Sequence, residues 1–486
     1  MGIVIKHSAW NLGLTILGFL LGAANTLLLA TNFLDDDYYG LWGYVLSTAF
    51  LLFPLMSFGI HNTLVKFYSS YTTVDERDAF LSVMLILPLI VVLPGALLIY
   101  VFQEQIIDLI TKVNEMVGDY VWHIVIIAVF QAYFEVFYAW VKVHMKTIGG
   151  NFIKEVFYRF AATILLIAVM FDWITQSQFI DSLVLVYALR CIIMMVMAFR
   201  TYKPKLQIRK TAFTRRIFDY SLLMIIAGSV GTALIDLDKY MINQYLSIDT
   251  ISYYGVAVYI ATVIAIPARG MSQITFPLAA QYLNQNKTQE LEKLYKRSSL
   301  NLSIISGFLM VVILCNVQEF YNLLPPEFSV AIPVVFIISS VKFTENLLGS
   351  NNAILYNSDL YRVTLWLGLA LALVAVALNL LLIPLYGIYG AAISTSIAFI
   401  GYAFAKAGYV YYKLHLNPWT SKTWMSLGLI AVTILGFVFW DFAINTYINI
   451  ALKTLLLGGF YIGAVYALRL SSEINGMINN IVRKVF

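Results

Sequence analysis

Apolar residues along this chain come in runs of about 20 to 30, separated by short polar or charged breaks. Run length decides the reading, because a helix needs roughly 20 residues to cross a bilayer's hydrocarbon core. Fourteen runs of that length are predicted, at about 8–33, 41–68, 79–102, 119–145, 150–171, 179–200, 216–246, 251–282, 298–323, 329–356, 361–383, 388–412, 421–440 and 447–469. The first, from Ser8 to Phe33, exceeds the apolar core of a signal peptide and lacks a small-residue cleavage site, so it is expected to stay as a spanning helix. The breaks then set topology, because cytoplasmic loops collect Lys and Arg.

The strongest break is Arg200 to Arg216, RTYKPKLQIRKTAFTRR, with seven bases and no acid between two sets of six runs. With a cytoplasmic N-terminus, the inner loops hold Arg77, Lys142, Lys146, Lys154, this connector, Lys287 to Arg297, Arg362, Lys413 and Lys422, and the tail adds Arg483 and Lys484. The outer loops hold Asp35, Asp36, Asp37, Glu104, Asp108, Glu115, Asp119, Asp172, Asp249, Glu327 and Asp441, with Lys112 and Lys453 as basic exceptions. Both termini are therefore expected to be cytoplasmic.

Composition agrees. Of 486 residues, 61% are apolar and 12% charged, with mean hydropathy +0.82; a soluble globule carries about 25% charged residues. The net charge of +5 lies mostly on one side, which reports orientation and contact with anionic lipid and argues against a nucleic-acid partner. Cys191 and Cys315 both fall inside apolar runs and are expected to be packing residues. Extramembrane segments are too short for a nucleotide-binding domain, and no GxxxxGK[ST] loop occurs, so ATP is not the expected energy source and no cofactor is implied.

A repeat links the halves: Tyr38-Tyr39-Gly40 with Tyr44 recurs as Tyr253-Tyr254-Gly255 with Tyr259, at an offset of 215 residues. Each copy opens a helix after a short acidic outer turn, and each helix later meets a proline, Pro54 or Pro267. The offset spans six helices, so the halves are expected to be parallel repeats about an axis along the membrane normal. The predicted fold is all-α and polytopic, about 14 transmembrane helices: a six-helix bundle at 1–200, a basic cytoplasmic connector at 201–215, a second six-helix bundle at 216–414 in pseudo-twofold relation, and helices 13 and 14 with a cytoplasmic tail at 415–486.

Charges at mid-membrane depth cost about 2.5–3.5 kcal/mol each on insertion scales, so each needs a reason. Arg269 sits deep in the eighth run, two residues after Pro267 and beside Gly270, where a freed carbonyl opens a polar pocket. A guanidinium there would grip two phosphate oxygens at once, and a structural ion pair is the plainer alternative. Lys342 and Glu345 are spaced to meet on one helix face, which fits self-neutralisation or substrate binding equally. Gly228, Thr232, Asp236, Lys239 and Asn243 form one polar stripe expected to face an aqueous cavity. In the first run Asn11, Thr15, Gly18, Gly22 and Asn25 do the same; Gly18 and Gly22 make a GxxxG packing face, while Asn25 is the cavity candidate. Arg190, Glu135 and Gln131 are buried by depth, Glu155 and Arg159 look like a structural pair, and Lys66 can snorkel to the inner surface. His61 could relay protons, although a lone histidine is more often simply hydrogen-bonded. No motif for covalent catalysis occurs, and Asp35 to Asp37 fit a solvated turn better than an enzyme's acidic loop.

At runs 11 and 12, Asn379-Leu-Leu-Leu-Ile-Pro384-Leu-Tyr386-Gly387-Ile-Tyr389-Gly390-Ala391-Ala392 resembles the signature of the polysaccharide (O-antigen type) flippases of the multidrug/oligosaccharidyl-lipid/polysaccharide exporter superfamily. The segments Asp236 to Gly255 and Pro267 to Gln281 are similar too, and the likeness covers essentially the whole chain. It implies two six-helix bundles rocking about a central cavity to carry undecaprenyl-diphosphate-linked oligosaccharide from the inner to the outer leaflet of a bacterial cytoplasmic membrane, with no catalysis. It implies that Arg269 takes the place of the family's helix-8 arginine, whereas the N-half arginines have no counterpart and Lys239, Lys342 and Arg190 would compensate. The driving force stays open between proton, sodium or potential coupling through Asp236, Glu135 or Glu345 and simple mass action from downstream polymerisation. The implied partners are the lipid-linked glycan, membrane lipid, and downstream polymerase and glycosyltransferases. A multidrug exporter shares the fold but would carry more acids than bases in its cavity; a glycan polymerase or glycosyltransferase would want a long outer loop.

Overall fold

The computed structural model describes residues 2–207, 214–227, 230–358, 360–442 and 444–485. Every regular element among them is helical. Eleven helices are long and apolar enough to cross a membrane, from Gly13–Phe33 to Thr446–Ala467, so the chain is an integral membrane protein. The three other expected runs are helical but fall outside the eleven for local reasons. The Thr147–Met170 stretch carries Lys154, Glu155 and Arg159 close together, the seventh run is described as Arg215–Ala227 and Val230–Ile242, and Ser421–Phe437 is 17 residues long. Gly228 of the polar stripe, with Arg209 and Lys210 of the connector, lies outside the described residues, as do the side chains of Thr232, Arg483 and Lys484.

The chain divides into two compact units, Met1–Ser252 and Tyr253–Phe486. The seventh helical run thus packs with the first six, and the last two runs pack with the second unit.

In the first unit the core gathers Phe80, Phe134, Trp140, Ile60 and Leu64. Its second helix is interrupted: Asp36–Met56 contains Pro54, then Phe58 (φ 51°) and Gly59 (φ 63°) turn the chain left-handed before Ile60–Phe67 resumes. Gly59 is required there, because a Cβ would sit 2.6 Å from the Ser221 carbonyl oxygen. Thr63 and Ser221 hydroxyls meet at 2.8 Å beside it. The interruption re-aims the residues that follow, His61, Asn62 and Lys66.

The start of the connector is strapped down. Tyr202 donates its hydroxyl to Asp78, the Lys205 amide donates to the same carboxylate at 3.1 Å, and Gln207 donates to the Asp75 carbonyl at 2.8 Å. Burial, with the adjacent Asp78 carboxylate, pushes the Tyr202 phenol up to about 12, so it stays a donor at physiological pH.

In the second unit, helix Ile332–Leu347 ends at a break, Leu348-Gly349-Ser350, and Asn351–Asn357 follows. Gly349 has φ 55°, and a Cβ there would lie 2.4 Å from the Ser299 amide nitrogen, so backbone packs directly on backbone. Helices Ser421–Phe437 and Thr446–Ala467 dock on the long Thr288–Tyr321 helix through Ile430, Leu457 and Tyr461, pinned by Ser303–Ser426 (2.8 Å) and Tyr461 donating to the Ile304 carbonyl (3.0 Å). Large apolar side chains such as Leu93 and Leu97, or Leu381 and Leu385, point outward, as lipid contact requires.

Candidate functional site

The cavity with the most convergent chemistry lies wholly in the second unit and forms where two helices are interrupted. Helix Ile266–Asn284 starts after the tight turn Val263–Ala265 with Pro267 in its first turn, which brings Arg269 to the mouth, exposed within the unit. The break at Leu348 to Ser350 supplies the other wall, because unwinding there turns Ser350, Asn351 and Asn352 inward. The volume is about 280 Å³, and Arg269, Glu345, Asn346, Asn351, Asn352 and Lys406 contribute its polar lining.

Each polar wall residue is fixed. Asn346 donates to the Ile264 carbonyl at 2.6 Å and to Ser306 at 2.7 Å, which locks helix Ile332–Leu347 to the tight turn ahead of Arg269. Asn351 donates to the Tyr295 hydroxyl at 2.5 Å, and the Lys406 ammonium donates to Asn352 Oδ1 at 3.0 Å while resting 4.2 Å above the Tyr402 ring. The Lys342 and Glu345 charges lie 3.5 Å apart, so Lys342 takes up part of the acid's charge. Two buried acceptors, Asn351 Oδ1 and Ser350 Oγ, have no hydrogen-bond partner among the described residues. An unmet buried polar group costs about 1–3 kcal/mol, and both belong to residues of the cavity wall, so a turn of either side chain would bring its acceptor to a hydroxyl-rich ligand. Arg269 and Lys406 therefore supply cationic donors, Glu345 a partly neutralised acid, and the amides adaptable hydrogen bonding.

The remaining predicted site residues lie in the first unit. Glu135 pairs with Lys154 at 2.7 Å and, with His61, lines a cavity of about 350 Å³. His61 sits between Ser57 Oγ (3.4 Å) and Asn62 Nδ2 (3.1 Å). Arg190 is buried over the Phe134 ring at 3.8 Å and donates to Gln131 Oε1 at 2.6 Å and to the Ile153 and Lys154 carbonyls. Those carbonyls are available because Ile153–Phe157 is wound as a π-turn. Asn25, in the π-turn Ala24–Leu29, donates to the Arg159 carbonyl and accepts from Thr163, both at 2.7 Å. Asn11 and Gly18 from the same stripe also meet the Thr147–Met170 stretch, through Thr147 and through the Glu155 carbonyl. The stripe on the first run is thus a seam between helices. Asp236 accepts from Ser47, and Lys239 has Asp236 and Asp238 as electrostatic partners.

Sequence reasoning brought Arg269, Lys342 and Glu345 forward and missed Lys406, Asn351 and Asn352. Lys406 stands inside an apolar run, so a stricter census of mid-depth charges would have found it.

A family profile described as polysaccharide biosynthesis protein matches residues 4–283, more than half of the chain. The chain belongs to that family. A relative named "Probable low-salt glycan biosynthesis flippase Agl15", from Haloferax volcanii, is 24% identical over 234 residues, which are 46% of this chain and 48% of that protein; the match spans about half the length of that curated relative. Among solved structures, the fold is similar to the lipid II flippase MurJ in an inward closed conformation (TM-score 0.74, 16% identity, 96% of this chain and 100% of that one). It is also similar to an inward-facing multidrug resistance MATE family transporter of the MOP superfamily (TM-score 0.64, 12% identity, 84% and 98%). At these identities the likeness establishes the fold, an all-helical two-bundle membrane architecture.

Proposed function

We propose that this protein is a flippase that carries undecaprenyl-diphosphate-linked oligosaccharides from the inner to the outer leaflet of a bacterial cytoplasmic membrane, by alternating access and without catalysis of its own. Both termini would face the cytoplasm, as the Lys and Arg distribution favours. The observation that carries the reading is the second-unit cavity, where Arg269 and Lys406 share a wall with Asn346, Asn351 and Asn352, and where Asn351 and Ser350 keep unmet polar groups. A polyprenyl tail is at home in hydrocarbon, whereas a diphosphate and its sugars are not, so the protein needs to shelter the head group alone. Cationic donors suit the diphosphate and the amides suit sugar hydroxyls. At about 280 Å³ the cavity is near the lower end of the roughly 300–1,000 Å³ range of small-molecule sites, which fits the charged end of such a substrate better than a whole glycan. The family and the relative's printed name point the same way.

The test is mass spectrometry of lipid-linked glycans in cells depleted of the protein, with a leaflet-accessibility probe on intact spheroplasts. Single repeat units should accumulate in the inner leaflet and be cleared by wild type but not by Arg269→Ala. Outer-leaflet accumulation would indicate a polymerase instead, and altered drug tolerance without accumulation would indicate a multidrug exporter.

A further inference from the structure

The wall of the second-unit cavity holds an aromatic ring among its polar groups. Phe276 lines it together with Arg269 and Ser272 of the same helix, and intervals of three and four residues keep those positions on one helix face. Tyr356 stacks on Phe276, with ring planes inclined by 19° and centroids 6.4 Å apart. Tyr356 stands one turn after Asn352, whose Oδ1 accepts from Lys406. On each of the two helices, therefore, an aromatic residue lies one or two turns from a group at the cationic end. The Asn357 amide ties them together, donating to the Phe276 carbonyl at 3.3 Å and to the Ala353 carbonyl at 2.8 Å. From Arg269 to Phe276 the helix axis runs about 10 Å, a separation that a diphosphate carrying one sugar can bridge.

Chemistry sets the ligand class. Both rings keep exposed surface, 36% for Phe276 and 52% for Tyr356, and a bare ring in a wall of amides and cations forgoes apolar burial. A ligand that suits such a wall carries hydroxyls for the amides and an apolar face for the ring. A pyranose has both, with hydroxyls around its edge and C–H bonds directed from its flat side at an aromatic face. A polyprenyl tail would answer the rings and leave Asn351 and Ser350 unmet, and a phosphate alone would answer the cations.

We propose that Phe276, backed by Tyr356, is the platform on which the first sugar of the lipid-linked glycan lies, so that the cavity holds the loaded carrier more tightly than the bare diphosphate. The inference rests on the reading of this cavity as the head-group site. Its test is native mass spectrometry of the purified full chain, titrated with undecaprenyl diphosphate and with undecaprenyl-diphosphate glucose; the ratio of the two dissociation constants is the contribution of the sugar. Wild type should favour the glucosylated lipid. Phe276→Leu, which keeps an apolar side chain of similar bulk, should lower that ratio about three- to tenfold, the range expected for loss of an aromatic contact, while binding of the bare diphosphate stays as it was. Phe276→Tyr should keep the ratio, and Tyr356→Leu should lower it by less than Phe276→Leu. A ratio unchanged in Phe276→Leu, equal binding of both lipids by wild type, or equal weakening of both lipids in Phe276→Leu, as a contact with the tail would give, would overturn the platform. Arg269→Gln separates this outcome from failure of the head-group reading: it should weaken both lipids alike, and two lipids indifferent to Arg269 would remove the head-group site itself, whatever the ratio.

Discussion

The two units solve the same problem, charge at membrane depth, in different ways. In the first, bases and acids largely answer one another: Glu135 holds Lys154 at 2.7 Å, Arg159 holds Glu155 at 3.1 Å, and Arg190 is absorbed by Gln131 and two π-turn carbonyls. In the second, the closest intramembrane pair at the cavity is the looser Lys342–Glu345 contact at 3.5 Å, Arg269 stands exposed, and Asn351 and Ser350 keep unmet acceptors. A charge that is already answered stabilises the fold, and one that is not waits for a ligand. Helix interruptions decide which case arises, because unwound backbone can either absorb a side chain, as Ile153–Phe157 does, or turn asparagines into a cavity, as Gly349 to Asn352 does.

That contrast breaks most directly at Arg269. Arg269→Ala should lower transport of lipid-linked glycan about a hundredfold, since two charge-assisted hydrogen bonds of about 1.5–3 kcal/mol each are at stake, with little change in melting temperature. Lys406→Gln should reduce transport about tenfold, because it removes one donor and releases Asn352 from its 3.0 Å bond; measuring both variants in one reconstituted assay fixes the order. Gly349→Ala tests whether the break builds the cavity. Its left-handed backbone and contact with Ser299 should cost about 2 kcal/mol of stability, read as thermal unfolding in detergent. The smallest effect belongs to the seam: Asn25→Ala should cost about 1 kcal/mol, as two interhelical bonds are lost, and leave transport per folded molecule intact. Loss of transport in Asn25→Ala at normal folding would restore that residue to the substrate path and erase the distinction between the units.

Much of the architecture was legible because hydropathy is read over 20 residues and tolerates single errors. The expected runs and the helices correspond in order, and runs fall short of the span criterion where charges cluster, at Lys154 to Arg159, or where length is marginal, at Ser421–Phe437. The site was legible only in part. Arg269 and Glu345 stood out because charge inside an apolar run is rare, and a proline beside Arg269 marked the interruption. What the sequence could not carry was which polar residues face each other. Asn25 and Asn351 look alike as asparagines in apolar runs, yet one bridges two helices and the other lines a cavity, and the difference rests on a π-turn and on Gly349 adopting φ 55°. Asp78 was passed over for the opposite reason: it falls just before the third apolar run, where a charge is ordinary, and its role appears once Tyr202 and Lys205 fold back on it.

The most direct test of the central claim is reconstitution of the purified protein in liposomes containing a fluorescent undecaprenyl-diphosphate disaccharide in both leaflets, with an impermeant quencher added outside. If the second-unit cavity carries the head group, wild type should expose the inner-leaflet label to the quencher over minutes, and Arg269→Ala should hold it at the level of empty liposomes. Equal quenching by wild type and Arg269→Ala, or no movement by a folded wild-type protein, would contradict the account.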